Sequence, residues 1–348
     1  MAIDPATKGT EFSTEIPVEL RGGEGDVPHG VGPYKLAWRR LRRNRTSLAF
    51  GGLFLLIVVL CLLAPVYASE IAHTTPATTN PTGTITIGHK TEYVLSLTGI
   101  PIGPTWHAKY FLGADEVGRD VAVRLLYGGR NSLQIGLSAM VITMVLGVIL
   151  GILAGYFRGF ADGLISRVLD VLWAFPVVIL GVALGVVLAV SGIHIGPINI
   201  EGNSLWVPTV IIGVVYTPYV AKPIRGQVLQ LREREFVDAA RQQGLGHWRI
   251  MFGEILPNVA STIIVFIPLI VANAILLEAA LSFLGAGVQP PNPSWGTMIS
   301  EGVEQIPAAI HLVLVPGIML VLTVLGINVF GDGVRDALDP RAKVRIGR

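Results

Sequence analysis

Charge is scarce in this 348-residue sequence: Asp, Glu, Lys and Arg make up only 14% of it, where a soluble domain carries roughly 25%. With 51% hydrophobic residues and a mean hydropathy of +0.62, that shortage excludes one water-facing surface around one core. Much of the chain must face lipid. The 26 Lys and Arg residues nearly balance 24 Asp and Glu, which excludes a dispersed basic coat for nucleic acid. Cysteine is almost missing too. Cys61 is the only one and lies in an apolar run, so there is neither a disulfide framework nor a cysteine metal site. The seven histidines (His29, His73, His89, His107, His194, His247, His311) never fall two to a helix face, so no metal is expected. G-x-x-x-x-G-K-[ST], H-E-x-x-H and G-x-S-x-G are all absent, so no P-loop, zinc-protease or hydrolase chemistry is expected. No catalytic residue or cofactor is expected, and any ATPase driving this chain is a separate chain.

What is present is a set of long apolar runs. A spanning helix needs about 20 such residues to cross a hydrocarbon core of about 30 Å. Six segments reach or approach that length: Leu48–Tyr67, Ser132–Phe157, Leu164–Val190, Leu205–Ala221, Ser261–Phe283 and Ala309–Phe330. The first is too long for a signal-peptide core of 7–15 residues and follows a polar leader, so it reads as an uncleaved anchor. Placing Lys35–Arg45 in the cytoplasm leaves only Lys90, Lys109, Arg119, Arg124 and Arg130, of 26 Lys and Arg residues, in external loops. That asymmetry satisfies the positive-inside rule and puts both termini in the cytoplasm of a multi-pass protein of the cell membrane.

The chain divides accordingly. Residues 1–33 read as a disordered cytosolic leader, 34–47 as an amphipathic interfacial helix, 48–67 as span one, and 68–131 as an external insert. Within that insert, two alternating runs flank Gly88-His-Lys90 in the pattern of a small β-hairpin. Residues 132–341 form the core of five further spans, with a cytosolic loop at 222–260, and 342–348 a cytosolic tail. The fold class is all-α and polytopic.

Small residues and charges inside the spans carry the next information. Gly147, Gly151 and Gly155 form a G-x-x-x-G-x-x-x-G ridge, and Gly181/Gly185 a second, allowing close helix approach either within the subunit or between subunits. Asp170, Glu278 and Ser282 are candidates for a translocation path, because charge in a bilayer is costly. An interfacial role for Asp170 and a loop-capping role for Glu278 are the structural alternatives. His311 reads as interfacial.

The cytoplasmic loop between spans four and five is the most informative segment. Phe236, Ala239, Ala240 and Gln243 fall on one face of a short helix beginning near Glu235. Gly244 and Gly246 are placed to end it. Trp248, Met251, Phe252 and Ile255 repeat at i, i+3, i+4, i+7, predicting a second short amphipathic helix. Such a pair forms either a docking element or a hairpin lying on lipid.

Asp238-Ala239-Ala240, then Gly244, then Ile255-Leu256-Pro257 resembles the EAA loop of ABC-importer permeases, with Asp replacing Glu. Three further segments sharpen the resemblance: Leu112-Gly-Ala-Asp-Glu-Val-Gly-Arg-Asp-Val121 with Arg130-Asn-Ser-Leu133, Leu281–Gly296, and Gly331–Arg341. Together they are similar to the "C" permease of the dipeptide/oligopeptide/nickel importers. The resemblance implies a type I importer permease of MetI-like fold. It pairs with a related "B" permease as a heterodimer, and it is served by two cytosolic ATPases and an external substrate-binding protein. It also implies that Glu235, Phe236, Asp238, Ala239, Ala240, Gly244, Leu256 and Pro257 form the ATPase-coupling loop of a non-catalytic subunit. Di- or oligopeptides are the expected cargo, with nickel or oligosaccharides as alternatives. The insert at 68–110 is longer than the family pattern. Competing classes are a stand-alone secondary transporter carrying protons on Asp170 or Glu278, and a receptor or scaffold.

Overall fold

The computed structural model describes residues 33–87 and 90–338. The leader up to residue 32, the Gly88-His89 turn and the end of the chain from residue 339, including the 342–348 tail, lie outside the described residues. Helix dominates the rest, in line with the all-α expectation.

Helix α1 (Pro33–Arg43) places Arg40, Arg42 and Arg43 in its last turn, where cations complement the helix dipole. Its Ala37 and Leu41 pack on Ala337 near the chain's end, while Leu36 and Trp38 stay exposed. Asn44 then caps α2 (Arg45–Leu62), accepting the Ser47 N–H at 3.1 Å. Span one continues through α3 (Ala64–Val66) and a wide π-turn at Tyr67–Ile71. In the insert, β1 (Thr84–Ile87) pairs antiparallel with β2 (Lys90–Tyr93) in the register Thr84↔Tyr93. The hairpin is where the alternation put it.

Span two is α4 (Val121–Phe157), which starts at Val121 rather than at the expected Ser132. Its 37 residues extend about 55 Å at 1.5 Å each, so its first turns stand clear of the hydrocarbon. Asp120 accepts the Ala122 and Val123 N–H groups as its cap. The single third span expected over Leu164–Val190 is instead two helices, α5 (Gly159–Ala174) and α6 (Val177–Ser191), bent by 91°. Pro176 explains the break, because Phe175 before it takes an extended conformation that cannot continue a helix. The described residues thus hold five helices long and apolar enough to cross a membrane, and six spans if the bent pair is one. A second hairpin, β3 (Ile193–Ile195) with β4 (Ile198–Ile200), follows α6; the sequence reading gave it no strands.

Span four is α7 (Trp206–Val215) joined at Tyr216 to α8 (Thr217–Leu231), well past the expected end at Ala221. The remaining helices are α9 (Glu235–Gln242), α10 (His247–Ile250), α11 (Leu256–Phe283), α12 (Trp295–Val303), α13 (Ile306–Ala309) and α14 (His311–Leu338).

Both glycine ridges pack inside this chain. A Cβ on Gly147 would stand 2.7 Å from Val220 Cβ, one on Gly151 2.7 Å from the Ala221 carbonyl, and one on Gly155 2.7 Å from Val228 Cβ. The ridge therefore seats α8 directly on α4, while Gly181 and Gly185 abut Leu281 and Ala286. This is the packing alternative, not the interface one. Gly151→Val drives a branched side chain into a backbone carbonyl, and overpacking of this kind costs about 1–3 kcal/mol. Gly226, with nothing within 4 Å of its Cβ position, tolerates alanine. Thermal unfolding of the detergent-solubilised protein should separate the two variants, and equal melting points would refute the seam.

Candidate functional site

Helix α9 carries Glu235 and Asp238 in its first turn and Arg241 in its last, each sign at the end its dipole favours. It closes in a Schellman motif. The Leu245 N–H donates to the Ala240 carbonyl at 3.1 Å and the Gly244 N–H to the Arg241 carbonyl at 2.9 Å. Gly244 sits at φ +77°, with open space where a Cβ would be, so the turn needs glycine for its backbone alone. Gly246 plays the opposite part from the one expected. At φ −67° it caps the start of α10.

Two further expectations change. The second helix is not a separate short element: α10, a π-turn at Met251–Ile255 and α11 run as one continuous helix from His247 to Phe283. The wide turn lies just ahead of Pro257, which lacks an N–H and would crowd a regular preceding turn. Nor do Ala239 and Ala240 share a face. Val237 and Ala240 are buried in a core with Val228, Ile250, Met251 and Ile255, against which Leu256 packs. Glu235, Phe236, Asp238, Ala239 and Gln243 face outward. The predicted stripe also divides, because Met251 and Ile255 are buried while Trp248 and Phe252 are exposed and stacked 6.1 Å apart. A helix of eight residues against one wall has an inner face too narrow for four residues in a row.

The loop is fastened to the end of α4. Tyr156 Oη lies 2.9 Å from His247 Nδ1, the Arg241 guanidinium stands 6.0 Å above the Tyr156 ring, and Arg232 donates to the Tyr156 carbonyl. Arg158 pairs with Glu233 beside them. The outward surface of α9 is thus held on a rigid platform.

Glu278 and Ser282 lie elsewhere, at the junction of α4, α11 and α12. The Ser282 hydroxyl donates to Glu278 Oε1 at 2.7 Å and accepts the Val288 N–H at 3.0 Å. The Ser132 and Ser294 hydroxyls also stand beside this carboxyl, although Oε2 has no hydrogen-bond partner among the described residues. Glu278 is 0% exposed and Ser282 3%. In this subunit both side chains are buried, and their bonds hold the segment after span five. Asp170 lies apart from them. It is exposed and pairs with Lys222 at 2.7 Å, whose ammonium stands 4.1 Å over the Trp173 ring. With Asp162 bridging Arg225 at 2.6 and 2.7 Å, it forms a ladder joining α5 to α8.

Two of the other signature segments meet at the opposite end from α9, while the described part of the third, in α14, packs on α1 and the start of α2. Asp115 accepts the Val117 N–H at 3.1 Å and the Arg119 N–H at 2.9 Å, folding Leu112–Val121 into a tight turn. Arg119 reaches Asp115 at 2.6 Å and Glu301 at 2.9 Å, and buried Arg124 reaches both acids. Asn131 donates to the Pro293 carbonyl at 2.7 Å, and Trp295 Nε1 to the Leu125 carbonyl at 3.1 Å. Two motifs far apart in sequence are therefore one joint. No sequence motif singles out Arg124 or Glu301 as partners. A cleft of about 420 Å³ also lies between α11 and α14, lined by Ser261, Thr262, Arg335 and Asp336 among others. Ser261 and Thr262 at the start of one apolar run, and Arg335 with Asp336 just past the end of another, were the available signal.

This architecture is that of an ABC-transporter membrane subunit. It matches a chain of the inward-facing MetNI methionine ABC transporter with a TM-score of 0.51, covering 62% of this chain and 96% of that one at 17% identity, a likeness of fold. Residues 147–344 match the family of binding-protein-dependent transport system inner membrane components, and 32–85 the N-terminal TM domain of oligopeptide transport permease C. Among relatives, the dipeptide transport system permease protein DppC of Alkalihalophilus pseudofirmus is 37% identical, with 90% of this chain and 91% of that one covered. The di/tripeptide permease DppC of Pseudomonas aeruginosa is 37% identical over 89% and 93%. The glutathione permease GsiD of Pectobacterium atrosepticum is 34% identical over 89% and 92%. The chain belongs to the family of binding-protein-dependent transport system inner membrane components, as a membrane permease of an ABC importer. Such a permease works with ATPase subunits and a substrate-binding protein.

Glu278→Leu would leave the hydroxyl of Ser282 without its acceptor in a sealed interior, at a cost of about 1–3 kcal/mol. Glu278→Gln keeps the shape and an acceptor and should retain most of the stability. Thermal denaturation in detergent checks this. A leucine variant that melts with the wild type would show that the carboxyl does not hold the joint.

Proposed function

We propose that this chain is the C-type subunit of an importer for di- or oligopeptides, forming a heterodimer with a related B-type permease. It performs no bond chemistry itself. The outward surface of α9, carrying Glu235, Phe236, Asp238 and Ala239, seats an ATPase, and ATP-driven closure of the two ATPases rocks the spans between inward-open and outward-open states. The observation that carries this reading is the platform under α9. A small, exposed helix turned by Gly244 and fixed through Tyr156 and His247 to α4 can pass a push from a cytosolic partner directly into the membrane. Relatives named for dipeptides, di/tripeptides and glutathione share one cargo chemistry, a short peptide, and this supports peptide over nickel or oligosaccharide.

In this reading the α9 end and both termini are cytoplasmic and the insert faces outward. Single cysteines placed in a Cys61→Ala background test the orientation. A membrane-impermeant reagent added outside should label Thr86→Cys, Asn199→Cys and Asn292→Cys, and reach Gln242→Cys only after the cytoplasmic side is opened. External labelling at Gln242 would overturn the topology.

The coupling role separates two alanines that the sequence treats alike. Ala240→Leu overpacks the chain's own core, costing about 1–3 kcal/mol of stability. Ala239→Leu touches no core and should leave the permease folded while weakening ATPase recruitment. Gly244→Val forces a β-branched residue to positive φ and should lower both ATPase content and uptake in a complex that still inserts. Purified complexes compared for ATPase stoichiometry and peptide uptake decide the matter. Normal values for both Ala239→Leu and Gly244→Val would sink the coupling role.

A further inference from the structure

The loop between the hairpin and α4 has a feature that the importer role leaves unused. Residues 105–111 form a closed ring. The Thr105 N–H donates to the Tyr110 carbonyl at 3.4 Å, the Trp106 N–H to the Phe111 carbonyl at 3.3 Å, and the Thr105 hydroxyl to the Tyr110 carbonyl at 2.8 Å. Its base is anchored firmly. The Tyr110 N–H donates to Asp120 Oδ2 at 2.6 Å, and the buried Tyr110 hydroxyl donates to the Gly118 carbonyl at 3.2 Å. Asp120 is also the cap of α4, so the ring is tied to the start of a spanning helix.

On this base the ring displays apolar and basic side chains. Trp106 is 70% exposed, and its ring meets the exposed Phe111 edge-on at 5.3 Å. His107 and Lys109 are exposed between them. Trp106 and Tyr110 both hold φ +59°, a left-handed conformation that is strained for a residue with a side chain. The anchoring bonds sustain this strain, and its result is an aromatic pair held out from the fold.

The depth of the loop indicates what meets it. The Tyr67 hydroxyl donates to the Ala108 carbonyl at 3.4 Å. Tyr67 lies about 33 Å along the helix from Arg45 at 1.5 Å per residue, against a hydrocarbon core of about 30 Å. The loop therefore sits level with the end of span one. Val66 and Ile71 are exposed at the end of that span, with Ser69 and Glu70 exposed between them, so its outer surface passes from apolar to polar at this level. Trp206, half-exposed at the start of α7, marks the same boundary on another span. Tryptophan at both places, with a lysine beside one, is the composition of an interfacial belt.

We propose that the 105–111 ring is a lipid-contacting wedge at the bilayer boundary on the insert side. Trp106 and Phe111 enter the zone between acyl chains and headgroups, and Lys109 lies among the phosphates. The wedge fixes the height of the α4 start against the membrane, so the Arg124–Glu301 joint is presented at a constant level.

Nitroxide labels on Trp106→Cys and Phe111→Cys, with Thr86→Cys as the aqueous control, test the wedge. All three are made in the Cys61→Ala background, in the assembled transporter reconstituted into nanodiscs, with the partner chains' reactive cysteines removed. Collision rates with oxygen, which partitions into lipid, are compared with those of a water-soluble nickel complex. The expected result is oxygen dominance at 106 and 111 and nickel dominance at 86. Nickel dominance at 106 and 111 would mean a water-facing loop and overturn the proposal. Shielding from both reagents, before or after the binding protein is added, would mean that a protein surface covers the loop and would overturn it equally. Neither of these two results touches the ATPase-coupling role, which rests on the other end of the molecule.

Discussion

Helices inside a bilayer gain nothing from the hydrophobic effect when they meet, since lipid tails are as apolar as leucine. What holds this subunit together is therefore contact at short range, and α4 supplies most of it. Three glycines on one of its ridges bring the α8 backbone as near as a methyl group would forbid. Nearer the insert, Gly136 abuts Ile275 and Gly128 abuts Ser294. Because α4 is longer than the membrane is thick, the same helix also reaches both aqueous ends. Every site described above is fixed to it or to a helix that packs on it.

Polar groups are spent where packing cannot define position. At the insert end, Arg124 meets Asp115 and Glu301. In the interior, Glu278 gathers serines from three elements. Along α5 and α8, Asp162–Arg225 and Asp170–Lys222 form two rungs. The rungs explain how a helix pair bent by 91° keeps one arm against the bundle. An apolar arm alone would be free to slide, whereas two ion pairs at fixed spacing set its register.

The parts legible in the sequence are those governed by local rules. Apolar length located the spans, alternation located the β1–β2 hairpin, and Gly244 marked the end of α9 because only a left-handed residue can close that turn. What was not legible depends on distant neighbours. Nothing local distinguishes Ala239 from Ala240; only the wall made by Ile250, Met251 and Ile255 does. The carboxyl of Glu278 was visible as a costly group, but its use as an anchor depends on hydroxyls on α4 and before α12. The 91° bend had Pro176 as its only local sign, and a proline in an apolar run kinks a span as readily as it ends one. Gly246 was misread because a glycine after a helix and a glycine before one look alike until the backbone angle is known.

The fastening of α9 to α4 has a further consequence for how a push from the ATPase side would travel. The Tyr156–His247 and Arg232–Tyr156 contacts make the loop a continuation of α4's end rather than a tether beside it. The unbroken helix from His247 to Phe283 carries the loop's other side straight to Glu278. Two stiff members thus leave the same platform and meet again at the junction with α12, bridged by the glycine contacts and by Ser132. Such a frame tilts as a unit and bends little. Relative motion must then concentrate at its least-packed borders: the exposed elbow at Phe175-Pro176 and the cleft between α11 and α14. On the importer reading, alternating access in this subunit is rocking of the α4–α8–α11 frame against those borders, with the α9 platform as its handle.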